Sequence, residues 1–197
     1  MFVVNAQDFV NLVHEMLYNE HTQALLPGTI HAFSKRDISI ARTVVDGVFA
    51  AAPGFSQGMY HAAMCYDAPA SQAGWESAAS AHPALRSIGL WNAVCEGWHS
   101  ARATSAELAA VESEIPVLVL SGNLDPVIAP RLVEDLLVGF PNAYHVAYPT
   151  GAHNPGPRSG GCTVRVVTVF VADPTSPPDT SCAAEVPGLE FNALGSE

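Results

Sequence analysis

Two residues in the second half of the chain have the types and spacing needed to shuttle a proton. Asp125 follows an apolar run, Val117 to Leu120, that stops at Ser121-Gly122. His153 lies four residues beyond Pro149, which closes a second apolar run from Ala143 to Tyr148. A carboxylate that orients an imidazole makes a general base, and such a pair forms two thirds of a serine–aspartate–histidine triad. One Gly-x-Ser-x-Gly sequence, Gly54-Phe55-Ser56-Gln57-Gly58, precedes them and gives the chain order Ser, Asp, His.

The elements around the pair decide what it is worth. Leu132, Val133, Leu136 and Leu137 fall three and four apart, which predicts a helix from about Arg131. Strand, helix and strand of this length read as a parallel crossover. Asp125 and His153 then stand just past the carboxyl ends of neighbouring strands, where open α/β sheets place their sites. Taken singly, Asp125 before Pro126 also suits an Asx turn, and His153 suits a solvent-facing loop. Ser56 is the weaker member. A nucleophile elbow needs a strand leading into it, whereas Ile38 to Val48 is helically periodic and Pro53 stands where a central strand needs its donor. Ser56 therefore reads first as a helix N-cap and second as a nucleophile.

The 197 residues suffice for one domain with a small appendage. With 49% hydrophobic and 14% charged residues, the chain is a folding one. Eight Lys and Arg against 19 Asp and Glu give a net charge of −11, with no basic cluster beyond Lys35-Arg36, so no nucleic-acid partner is expected. No apolar stretch approaches a membrane span. The opening residues, Met1 to Asn5, do not read as a secretory leader. Neither zinc-type spacing nor any other cofactor motif occurs, so metal and cofactor are expected to be absent. The four cysteines fall into two local couples, Cys65 with Cys95 and Cys162 with Cys182. They would serve as two disulfides in an oxidising compartment or as four buried thiols.

In chain order, Asn5 caps a helix to Tyr18 with Phe9, Leu12, Val13, Met16 and Leu17 on its apolar stripe. Pro27 is placed to open a second helix carrying Ile30 and Phe33. Asp37 caps a third, with Ile38, Ala41, Val45 and Val48 inward, and a fourth from Ser56 turns Met59, Ala62, Ala63 and Tyr66 inward. Asp67 to Glu114 is Ala-, Ser- and Trp-rich with helical patches only, and Trp75, Trp91 and Trp98 are expected in the core or against a disulfide. Thr163 to Val171 is β-branched enough for a strand, but Val164, Val167, Phe170 and Val171 also fit a helix face, and a crossover fold favours the helix. The tail from Asp173 is Pro- and Ser-rich, held at Cys182.

The fold class expected is α/β: the C-terminal part of a parallel sheet, at 113–197, preceded by a mostly helical region at 1–112. Two parallel strands do not make a stable sheet alone, so further strands are expected upstream of Met1 or from a partner. Self-association or docking through the open sheet edge is the corresponding non-catalytic reading.

Several of these motifs, in order, resemble the tripeptidyl-aminopeptidase-like α/β-hydrolases, serine peptidases and esterases related to prolyl aminopeptidases. They are Ile115 to Val127, Phe140-Pro141-Asn142-Ala143, Gly151-Ala152-His153, and Cys162 and Cys182 at their spacing. Leu17-Tyr18-Asn19, Leu26-Pro27, Gly58-Met59-Tyr60, Cys65-Tyr66-Asp67 and Cys95 to Trp98 resemble that family's helical cap. The resemblance implies that Asp125 is the triad acid and His153 the general base of an enzyme that cleaves peptide or small ester and amide bonds. It also implies secretion, disulfides of the local kind above, and a nucleophile on strands that come before this chain. Tyr66 stands where the family often has a Glu, and Asp67 is the residue then left to meet a substrate amine, unless it is simply a solvent-facing helix end.

Overall fold

A computed structural model describes residues 4–50, 56–67, 90–98, 101–155 and 159–191. The chain forms two compact units, Met1–Leu12 with Phe49–Ala110 and Val13–Val48 with Val111–Glu197. The elements are α1 (Ala6–Leu17), α2 (Glu20–Ser34), α3 (Ile38–Ala50), α4 (Gln57–Asp67), α5 (Leu90–Gly97), β1 (Val117–Gly122), α6 (Pro130–Leu137), β2 (Ala143–Tyr148) and α7 (Cys162–Ala172), with a 3-10 turn at Ser181–Ala183.

Caps set most helix starts. The Asn5 side chain accepts from the Gln7 and Asp8 amides, and Asp8 accepts in return from the Asn5 amide, a reciprocal box that opens α1. Leu12 and Met16 are its most buried residues, as the stripe predicts. Asp37 caps α3 through the Ser39 and Ile40 amides, but among the helix's described side chains the buried ones are Ala41 and Val44, Ile38 is exposed, and the Val48 side chain lies outside the described residues. α2 departs further from expectation. It begins at Glu20, with the Asn19 side chain accepting from the His21 amide, and Pro27 lies inside it rather than opening it. An interior proline forfeits one helical hydrogen bond and costs about 3 kcal/mol. Pro27 and Ile30 face solvent, while Glu20, Gln23, Ala24, Thr29 and Ala32 face inward.

In the second unit, β1 and β2 pair in parallel, Val117 opposite Ala143 through Gly122 opposite Tyr148. Side chains alternate across the pleat, so Leu118, Leu120, Val146 and Tyr148 share one face. That face packs on Cys162 and Val166 of α7 and on Cys182, Ala183 and Val186 of the tail. Full burial of Val146 and of Val166 contributes roughly 1.5–3 kcal/mol each. The Tyr148 hydroxyl is satisfied there by the Thr163 hydroxyl at 2.7 Å. On the opposite face the Ser121 hydroxyl meets the His145 ring at 2.8 Å. Only these two strands occur among the described residues.

α7 is a helix, as expected, but with a different inner face. Cys162, Val166 and the half-buried Phe170, four residues apart, point inward, whereas Val164, Val167 and Val171 are exposed. The Cys162–Cys182 disulfide sets that rotation by fixing the first turn against the tail. α6 likewise buries Val133 and leaves Leu132 and Leu136 exposed.

In the first unit, Cys65–Cys95 joins α4 to α5. Cys65 is therefore the inward residue of α4, and Met59, Ala62 and Ala63, expected inside, are exposed. The Arg102 guanidinium donates to the backbone carbonyls of both Cys65 and Cys95. Trp98 is exposed and stacks on His61 rather than entering a core. Trp75 and the Trp91 side chain lie outside the described residues. Both cysteine couples are disulfides, and no free cysteine is left.

The Cys162–Cys182 bond closes a short loop, separation 20. Replacing both cysteines by serine is expected to lower unfolding stability by about 3 kcal/mol, read from urea denaturation followed by circular dichroism.

Candidate functional site

The two strands end side by side, and their backbone pairing continues into the loops. The Asn123 amide donates to the Tyr148 carbonyl at 3.0 Å, and the Leu124 amide to the Gly151 carbonyl at 2.9 Å. This approach needs glycine: a methyl group on Gly122 would overlap the carbonyl oxygens of Gly151 and Ala152. The next residue on the first loop is Asp125. Its Oδ1 accepts from the Val127 and Ile128 amides at 2.7 and 3.0 Å, which holds the carboxylate in an Asx turn. His153 on the second loop brings Nδ1 to 2.9 Å from Asp125 Oδ2 and 3.2 Å from Oδ1. The Asx turn and the contact with the imidazole are thus one arrangement at Asp125, with the turn aiming the carboxylate. The Asp125 side chain is 7% exposed and that of His153 is 27% exposed, so the carboxylate is the more buried partner. Tyr18 sets its ring edge-on to His153, centroids 5.3 Å apart.

The sequence profile of a family described as TAP-like protein matches residues 82–182, just over half of the chain. The chain belongs to this TAP-like family of α/β-hydrolases. The matched span holds β1, α6, β2, α7, both residues of the pair and three of the four cysteines. Neither the curated proteins nor the solved structures give a match.

In this TAP-like chain the environment of Asp125 favours the charged form. Burial pushes its pKa up, but the Ile128 and Val127 amides and the His153 ring together outweigh burial and hold it below the ordinary value of 3.8. A carboxylate kept ionised can fix the imidazole tautomer and stabilise an imidazolium.

Three supporting residues escape sequence reasoning. Glu20 at the start of α2, 3% exposed, accepts from the Ala152 amide at 3.0 Å. Gln23, one turn later, donates from Nε2 to the Leu124 carbonyl at 3.1 Å and to the Leu17 carbonyl at 2.7 Å. Tyr18 is the third. The one signal in the sequence is Asn19 followed by an acid, which is a helix start eight residues before Pro27. No spacing in the sequence ties residue 20 to residue 152.

The remaining candidates lie in the first unit. Ser56 accepts from the Met59 amide at 3.3 Å and so caps α4. The helix α3 runs to Ala50, so residues 38–50 supply no strand leading towards Ser56. Asp67 is exposed at the end of α4. Its neighbour Tyr66 donates its hydroxyl to Glu107 at 2.6 Å, and this bond, with those from the Thr104 amide and hydroxyl, holds the Glu107 pKa down to about 2. Among the described residues no three His, Cys, Asp or Glu side chains are grouped to hold a metal, and no helix is long and apolar enough to cross a membrane.

Gly122→Ala is expected to cost about 1–3 kcal/mol in urea denaturation, because backbone rather than a flexible side chain stands in the way. The carboxylate also sets a pH dependence. With its folded pKa lowered, Asp125 stabilises the fold fully above pH 3.8, and that contribution disappears as pH falls through the lower folded value. Stability of Asp125→Asn is expected to fall less steeply than wild type below pH 4 or so, measured by urea denaturation across that range.

Proposed function

We propose that this chain supplies the general base and its orienting acid to a serine hydrolase of the tripeptidyl-aminopeptidase type. The supporting observation is the contact between His153 Nδ1 and Asp125 Oδ2, 2.9 Å, made by loops that follow adjacent parallel strands. With Nδ1 turned to Asp125, Nε2 takes the proton of the attacking serine and returns it to the leaving group. Peptides cut near a free amino terminus, or small esters and amides, pass their acyl group to that serine as the amine or alcohol leaves, and water then hydrolyses the acyl-enzyme. Backbone donors stabilise the oxyanion, and no cofactor takes part.

In this reading residues 1–112 are cap and lead-out, and 113–197 carry the acid and base. The nucleophile comes from a strand-to-helix elbow on a part of the sheet other than β1 and β2. Ser56 serves in this reading as the N-cap of α4, a role that its bond with the Met59 amide supports. The two disulfides suit an oxidising, extracytoplasmic setting. The segment that completes the site bears Gly-x-Ser-x-Gly after a strand and comes from upstream of these residues or from a partner.

By itself the chain is expected to leave a fluorophosphonate probe unreacted. Co-expressed with the N-terminal half of a TAP-like hydrolase, it is expected to restore cleavage of a peptidyl p-nitroanilide, with Asp125→Asn lowering kcat roughly 10⁴-fold. Labelling of the lone chain that Ser56→Ala abolishes would overturn the assignment in favour of Ser56.

A further inference from the structure

The first turn of α2 touches both loops of the pair, each at the residue before the functional one. Gln23 Nε2 donates to the carbonyl of Leu124, the residue before Asp125. Glu20 Oε1 accepts from the amide of Ala152, the residue before His153. The Leu124 amide in turn donates to the Gly151 carbonyl, which belongs to the same peptide group as the Ala152 amide. The result is a closed ring of hydrogen bonds: Gln23 to Leu124, Leu124 to the Gly151–Ala152 peptide, and that peptide to Glu20. Residues three apart on a helix share one face, so Glu20 and Gln23 close the ring from a single rigid turn.

Burial makes the ring consequential. Glu20 and Gln23 are 3% and 4% exposed and Ala152 is fully buried, so water cannot replace a lost partner. Gln23 Oε1 is buried with no hydrogen-bond partner, so the amide is held there by its two donor bonds, to Leu17 and Leu124, at the expense of its acceptor. The turn itself is pinned from behind by Asn19, which caps it, and by the Thr22 hydroxyl on the Met16 and Asn19 carbonyls.

We propose that Glu20 and Gln23 are positioning residues, a helix-borne clamp that sets the separation of the two loops and thereby the Asp125–His153 contact. The inference rests on the hydrolase reading for its catalytic meaning, but the geometry it asserts is measurable without catalysis. Neither residue touches the reacting atoms. Each acts through the backbone next to a residue that does.

The test has two arms, both on the full chain. The first is proton NMR of the isolated chain, observing the downfield imidazole N–H that the His153–Asp125 bond produces, assigned by its loss in His153→Gln. Glu20→Gln keeps an acceptor for the Ala152 amide and is expected to keep the resonance. Glu20→Ala and Gln23→Ala are expected to broaden or lose it while circular dichroism stays native. Gln23→Met removes the donor at constant volume and also removes the orphan acceptor, so it serves where the alanine variants do not fold, and it too is expected to lose the signal. An unchanged resonance in a folded Gln23→Met or Glu20→Ala chain overturns the clamp. The second arm is the complemented hydrolase. There Glu20→Ala is expected to lower kcat at least tenfold with KM unchanged, and Glu20→Gln to restore it. If NMR responds as expected but no complemented hydrolysis is found, the hydrolase reading fails and the clamp stands. If hydrolysis is found and the resonance is indifferent to both residues, the clamp fails alone.

Discussion

At the top of the sheet two backbones come close because neither carries a side chain at the point of contact. Any Cβ on Gly122 would collide with the carbonyls of Gly151 and Ala152, and one on Gly151 would fall 2.7 Å from Pro155 Cβ and 2.9 Å from Tyr148 Cβ. That closeness lets the Leu124 amide reach the Gly151 carbonyl, so the parallel pairing of β1 and β2 extends past the strands into the loops. The meeting of Asp125 with His153 is the last rung of this ladder. Its side chains are aimed by backbone already fixed, and the Asx turn at Asp125 needs only local amides to finish the aim.

Among the described residues the pair of strands has one thoroughly covered face. Val146, Tyr148 and Val166 are almost fully buried there, and the Cys162–Cys182 disulfide holds helix and tail on the same side. The other face is of a different character. It carries Ser121 and His145 hydrogen-bonded to each other, with His145 exposed. Apolar side chains also remain exposed on α7, at Val164, Val167 and Val171. A parallel sheet in an α/β protein is ordinarily covered on both faces, and among the described residues only one face of this pair is covered by an apolar cluster.

The helices show where periodicity stops being informative. α7 has valines around much of its circumference, and α4 has small or apolar residues on more than one side, so several stripes fit the 3.6-residue repeat. In each case the disulfide chooses: Cys162 and Cys65 are buried, and the side next to them faces inward. α2 makes the complementary point. Asn19 is a better helix start than Pro27 because it satisfies an orphan amide, whereas the proline merely lacks one. Once the helix is begun by its cap, the proline is tolerated on the exposed side.

Local order in the sequence determined the strand–helix–strand unit, the caps at Asn5, Asp37 and Ser56, and the candidacy of Asp125 and His153, because each depends on residues within a few positions of one another. The likeness to TAP-like hydrolases was legible for the same reason, through short motifs in a fixed succession. Tertiary structure alone decided that the carboxylate and imidazole touch, that both cysteine couples close, and which helix faces turn inward. It alone brought Glu20 and Gln23 to Ala152 and Leu124, more than a hundred positions away. A hydrogen bond depends on distance in space, and chain separation carries no information about that until packing has folded one segment over another.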